Sequence, residues 1–275
     1  MVRSLWTAAT GMNAQQTNVD TIANNMSNVN TAGYKAQQAQ FKSLLYQELQ
    51  TETTTANGDP KPTASQVGLG VRTASLDGIF TQGAWLATEA ANSYAIGGAG
   101  FFSYHNYNGE QVYTRNGDFT WAMGNAENEL VLTTSDGNPI LNTQGEEIRL
   151  QGDYIASRII VQQDGSMAYP DEDGVPQPLG EATRIGLWQF QNPGGLERIG
   201  GTSFRETEAS GAAINEAEDD RIERSEIVSG YLEGSNVNVA TEMVNLIVAQ
   251  RAYEINSRAI TTTDSMMQTA NSLKQ

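Results

Sequence analysis

Residues 239–267, VATEMVNLIVAQRAYEINSRAITTTDSMM, decide the reading of this chain. Val239, Leu246, Tyr253, Ile260 and Met267 stand seven apart, and Met243, Ala249 and Ala270 widen the stripe. An apolar repeat of seven over this length predicts a helix with a coiled-coil seam. Asn236 and Asn238 precede it as N-cap candidates, and Glu242 falls where the positive end of the helix dipole favours an acid.

The other end of the chain repeats the pattern. Leu5, Met12, Val19 and Met26 are seven apart, and Ala8, Ile22 and Val29 fall three places after Leu5, Val19 and Met26. The seam is interrupted by Gln15, and Gly11 weakens a helix by about 1 kcal/mol relative to alanine. Residues 1 to about 33 contain no proline and read as one helix, which would be ~50 Å long. The candidate assembly residues are therefore Leu5, Met12, Val19, Ile22, Met26 and Val29 at one end, and Val239, Met243, Leu246, Tyr253, Ile260 and Met267 at the other.

Between the ends lies a β-like middle. Asn116-Gly117, flanked by Val112-Tyr113-Thr114 and Phe119-Thr120-Trp121, predicts a two-residue hairpin. Asp136-Gly137 separates Leu130-Val131-Leu132 from Ile140-Leu141, and Asp164-Gly165 follows Ile159-Ile160-Val161. Short strands broken by glycine turns point to a small sandwich or barrel rather than βα units. The expected layout is a helix over 1–35, an extended linker or hairpin region over 36–85, a β-rich outer domain over 86–205, an acidic linker over 206–230 and a second helix over 231–275. Residues 206–226 hold eight acids and two arginines, the composition of a flexible connector. The middle joins the end of the first helix to the start of the last, so helices lying side by side must run antiparallel. The fold class is thus α+β, multidomain, with the two terminal helices pairing as an antiparallel coiled coil around a mainly-β centre. Such helices carry more apolar surface than one partner covers, which points to assembly.

Composition narrows the function. The 275 residues carry 32 acids against 16 Lys and Arg, a net charge of −16, which disfavours binding to nucleic acid. No apolar run approaches the ~20 residues of a membrane helix, and no cleavable signal peptide is visible. With no cysteine and one histidine, His105, thiolate and histidine metal clusters are excluded, and no GxSxG elbow accompanies His105. GGAGFF at 97–102 lacks the third glycine and the helix of a dinucleotide fingerprint, and reads instead as a tight strand approach with two packed aromatics. Asp171-Glu172-Asp173-Gly174 resembles part of a calcium loop, but the position that needs glutamate is Gly180, leaving a solvated acidic turn. Asp118 and Glu129 are not placed together by any pattern. No catalytic, cofactor or metal site is expected, and the chain does not read as an enzyme.

Residues 23–35, ANNMSNVNTAGYK, are a helix end: asparagines satisfy terminal carbonyls and Gly33 suits the left-handed C′ position. This string resembles the N-terminal signature of flagellar rod and hook proteins, carried by Asn24, Asn25, Asn28, Thr31, Gly33 and Tyr34. SLWTAATGMNAQQTNVDTI before it is similar to the distal-rod members of that family. FKSLLYQ at 41–47, VGLGV at 67–71, TQGAW at 81–85, AIGGAGFF at 95–102 and SNVNVATEMVNLIVAQRAYEINSRAITTTDSMM at 235–267 follow in the family's order. Residues 103–230 match only loosely. The resemblance implies a structural subunit of the distal rod, its terminal helices packed into a tube around an export channel and its β domain outside, turning as a rigid drive shaft across the periplasm. It implies as partners further copies of the chain, proximal rod proteins, the hook protein, the P- and L-ring proteins and the type III export apparatus, with neither nucleic acid nor membrane insertion. Export through that apparatus needs no cleaved signal peptide. It further implies that residues 51–66, TETTTANGDPKPTASQ, contribute stiffness. A proximal rod or hook protein is the alternative within the family. Outside it, a secreted enzyme or carbohydrate-binding β domain would need an exposed aromatic platform with clustered carboxylates.

Overall fold

The computed structural model describes residues 2–50, 65–126, 128–171, 174–219 and 221–273. The chain divides into two compact units, one made of 1–27, 37–77 and 238–275, the other of 28–36 and 78–237. Most of the stretch read as a stiffening segment, residues 51–64, lies outside the described residues, as do Glu172 and Asp173 of the acidic turn.

The first unit holds the two helices, α1 (Val2–Ser27) and α2 (Val239–Ser272). α2 begins as its sequence dictates: Asn238 accepts a hydrogen bond from the Thr241 N–H at 3.2 Å, and Glu242 occupies the first turn. Asn236, the other cap candidate, belongs to the second unit and serves there. Its Oδ1 accepts from the Ala36 N–H at 2.7 Å, and its amide donates to the Ile79 carbonyl. α1 stops at Ser27, short of the expected 33, because residues 28–33 form turns that carry the signature elsewhere. The unit also contains strand Gln37–Ser43 paired with Val71–Gly78, and Tyr46–Gln50 paired antiparallel with Ser65–Gly68.

The second unit is mainly β. Its largest sheet has six antiparallel strands in the order Glu197–Gly200, Ser203–Arg205, Gln111–Thr114, Phe101–His105, Leu187–Gln189 and Ile214–Asn215. A three-stranded sheet, Phe119–Met123, Glu129–Thr134 and Arg149–Gln151, lies in the same unit. Its core contains Ile96, Phe102, Leu132, Ile140 and Ile148, each without measurable exposure. Phe101 leads a second cluster with Tyr113, Phe190, Leu196 and Phe204. GGAGFF therefore does what a tight strand approach requires: Phe101 and Phe102 enter adjacent clusters from one strand, because successive side chains point to opposite faces. His105 closes that same strand.

Turn readings met mixed outcomes. Asp136-Gly137 reverses the chain, with the Gly137 N–H on the Thr134 carbonyl and a bridge from Thr133 to Pro139. Asp164-Gly165 joins Ile160–Val161 to Met167–Pro170. The hairpin expected at Asn116-Gly117 does not form. Gln111–Thr114 pairs with Phe101–His105 and Ser203–Arg205, whereas Phe119–Met123 pairs with Glu129–Thr134. The glycine is used for approach instead: a Cβ on Gly117 would lie 1.8 Å from the Tyr94 carbonyl oxygen. The acidic stretch 206–226 is built into the unit rather than left as a linker. Ile214–Asn215 is the edge strand of the large sheet, and Ser210, Glu216 and Ser225 are buried.

Candidate assembly surface

The two terminal helices pack on each other and run antiparallel. A Cβ on Gly11 would touch Asn256, Val19 shares a groove with Tyr253, and Asn25 reaches Glu242. The contact face overlaps the apolar stripe the sequence displays at Ala8, Ile22 and Ala249 and adds small and polar residues to it. On α1 the buried residues are Ala8, Ala14, Thr21, Ile22 and Asn25. On α2 they are Ala249 and Thr263. Small side chains let the backbones approach, and a Cβ at Gly11 would come within 2.9 Å of the Asn256 amide nitrogen. Polar groups in the face are satisfied locally: Thr21 donates to the Thr17 carbonyl at 2.8 Å and Thr263 to Ala259 at 2.7 Å.

Of the N-terminal stripe, Ile22 is buried; Leu5, Met12, Val19 and Met26 are half-buried, as is Val29, which lies beyond the helix. Of the C-terminal stripe, Leu246, Ile260 and Met267 are half-buried, while Val239, Met243 and Tyr253 are exposed. The structure thus brings Leu246, Ile260 and Met267 onto the same side of α2 as Ala249 and Thr263. It leaves a second apolar face open. Val244, Ile247, Val248 and Ile255 are each more than half exposed, and their spacing of three, four and eleven puts them on one side of α2. Trp6 on α1 is 65% exposed.

The signature residues divide between the units. Asn25, 1% exposed, clasps Gln37 in both directions: its amide donates to the Gln37 carbonyl at 2.8 Å and its Oδ1 accepts from the Gln37 N–H at 2.9 Å. That pair imitates a strand ladder between the end of α1 and the first strand. Asn24 points outward on α1. In the second unit Thr31 donates to Asn28 Oδ1 at 3.2 Å, making the turn after the helix. Gly33 has φ +71°, and a Cβ there would lie 2.5 Å from the Asn116 nitrogen, so both conformation and space require glycine. Tyr34 is buried with the Arg198 guanidinium 5.4 Å above its ring.

Residue-type reasoning missed Lys35. Its Nζ is 2.5 Å from Glu233 Oε1 and donates to the Thr81 carbonyl at 2.8 Å, with both charged side chains wholly buried. Arg115 Nη1 stands 3.3 Å from the other Glu233 oxygen, and the guanidinium covers the Phe101 ring at 4.8 Å. Burial pulls the Lys35 ammonium and the Arg115 guanidinium below their ordinary values, and the Glu233 charge works against both shifts. The only available hint was that Lys35 closes the quoted signature; its acid lies 198 residues away.

Three stretches match known family models. Residues 5–35 match the flagella basal body rod protein model, 95–169 the flagellar hook protein FlgE/F/G D1 domain, and 228–273 the flagellar basal body rod FlgEFG protein C-terminal model. The geometry and these matches define a flagellar axial structural protein. Among curated proteins, the chain is 42% identical to the flagellar basal-body rod protein FlgG of Borreliella burgdorferi, with all of both chains covered. It is 39% identical to that of Caulobacter vibrioides over 99% of this chain and 100% of the relative, and 34% identical to that of Bacillus subtilis over the whole of both. The chain belongs to the FlgG family of flagellar basal-body rod proteins, and it is a structural subunit of the distal rod of the basal body.

Proposed function

We propose that copies of this chain polymerise into a rigid tube in which α1 and α2 form an antiparallel coiled coil and line an export channel. The tube spans the periplasm as a drive shaft. It meets proximal rod proteins at one end and the hook protein at the other, turns within the P- and L-rings, and grows from subunits delivered by the type III export apparatus without a cleaved signal peptide. Its work is mechanical and requires no reaction. In this reading the alternating positions of the stripes divide their labour: Leu246, Ile260 and Met267 help hold the pair, while Met12, Val19, Val239, Met243 and Tyr253 meet neighbouring copies.

The observation that carries the reading is the open face of α2 formed by Val244, Ile247, Val248 and Ile255. Each such side chain gains roughly 1.5–3 kcal/mol when covered, a gain repeated at every subunit of a polymer. Helices draw most of their stability from tertiary packing of an apolar face, so covering the open face with further copies adds to it. Electron microscopy of concentrated full-length protein tests this. Straight tubes are expected, whereas a protein that stays monomeric at every concentration would defeat the proposal, and curved tubes would favour a hook-like role.

A further inference from the structure

Glu233 occupies an unusual position among the described residues of the second unit. Its carboxylate receives the Lys35 ammonium on Oε1, the Gly83 N–H on the same oxygen at 2.9 Å and the Arg115 guanidinium on Oε2. Its own backbone carbonyl accepts the Gly33 N–H at 2.7 Å. Lys35 continues the web: its carbonyl accepts from Arg198, and its ammonium holds the Thr81 carbonyl. Ala36, the next residue, hangs on Asn236. Residues 28–36 enter the unit from the N-terminal side and residues 226–237 leave it toward the C-terminal side. The connectors are joined to each other by the Lys35–Glu233 pair, by the Gly33 N–H on the Glu233 carbonyl and by the Ala36 N–H on Asn236.

A buried cation that loses its anion is far more costly than the intact pair is favourable. Neither connector is then able to take its place with the other absent: a docked Lys35 without Glu233 is an unpaired buried ammonium, and a docked Glu233 without Lys35 leaves a carboxylate short of its closest donor. We infer that Lys35 and Glu233 form a two-key latch by which the N-side and C-side connectors dock onto the β unit as one cooperative event. A chain that emerges N-terminus first can complete the six-stranded and the Phe119–Gln151 sheets before this latch, because Glu233 lies beyond all their strands. The function of the latch is to withhold the ordered form of the connectors until the whole β unit is present. This claim concerns folding within one subunit and does not depend on the polymer.

Native-state hydrogen exchange on the full-length protein tests the latch through its reciprocity. Glu233→Gln is expected to speed exchange about tenfold or more at Gly33 and Ala36 on the N-side connector and at Gly83, while Leu132, Ile140 and Ile148 keep their protection. Lys35→Met is expected to loosen the strand Tyr231–Glu233 on the opposite connector. Adding Lys35→Met to Glu233→Gln removes the orphaned ammonium but not the Arg115 guanidinium, and is expected to return part of the protection to Gly33. If each substitution disturbs only its own connector, or if exchange rises equally over the whole unit, the latch is overturned. Should Glu233→Gln fail to fold, the Lys35→Met result alone decides: an unchanged Tyr231–Glu233 strand refutes the proposal.

Discussion

The two units treat apolar surface in opposite ways. The β unit hides Ile96, Phe102, Leu132 and Ile140 completely, with aromatic rings meeting edge to face, such as Phe102 and Phe119 at 4.9 Å. The helical unit leaves Val244, Ile247, Val248 and Ile255 more than half exposed and uses alanine, threonine, asparagine and glycine, together with Ile22, for its internal contact. The β unit closes an aromatic and aliphatic core while exposing side chains such as Met123 and Val175 outside it; the helical unit keeps a row of apolar side chains open along one side of α2. A core that is closed makes a domain, and a helix pair that is open makes a building block.

The contrast is sharpest where substitutions of similar size should have different consequences. Phe102→Ala is expected to cost about 3–5 kcal/mol, because an aromatic in a closed core leaves a cavity. Calorimetry would register this as a lower melting temperature of the β unit, and a drop of less than a degree would mean the core is looser than it looks. Gly11→Leu forces a side chain against Asn256, and overpacking of this kind costs about 1–3 kcal/mol. The expectation is loss of helix by circular dichroism with the β unit melting as before. Val248→Glu should change monomer stability by no more than about 0.5 kcal/mol, since the site is exposed. Tubes are nevertheless expected to disappear in electron micrographs, because a carboxylate would be buried at each contact; normal tubes would mean the open face of α2 is not an interface.

The smallest effect concerns acid. Hydrogen bonds from Ser166 hold the Asp164 carboxyl below its ordinary value. The depressed value means that its contribution is present above the unfolded value of about 4 and is lost as the pH falls through the folded one. Asp164→Asn should therefore flatten the acid side of the stability profile of the β unit slightly. An unchanged profile would show that the Ser166 turn contributes nothing measurable.

Much of this was legible. Periodicity of seven marked both helices, and the turn at Asp136-Gly137 followed from residue type alone. The inner face of the helix pair was legible only in part: Ala8, Ile22 and Ala249 belong to the apolar pattern, whereas Thr21, Asn25 and Thr263 carry no hydrophobic signal. Asn116-Gly117 misled for a related reason. A glycine that permits a turn and a glycine that permits strand contact with Tyr94 look the same in sequence. The acidic 206–226 stretch resembled a solvated connector by composition, yet Glu216 is buried with Gln189 and Ser225 as donors.

Local chemistry alone determined that both ends of the chain are helical, where the second helix starts, that the chain turns at Asp136-Gly137 and Asp164-Gly165, and that the ends carry more apolar surface than a pair consumes, since each depends on residues within a few turns of one another. Only the tertiary structure decided that Thr21, Asn25 and Thr263 join the inner face of the helices, and that Lys35 and Glu233 share one buried site. Those outcomes depend on distance between parts of the chain some two hundred residues apart, and no local pattern of residues encodes such a distance.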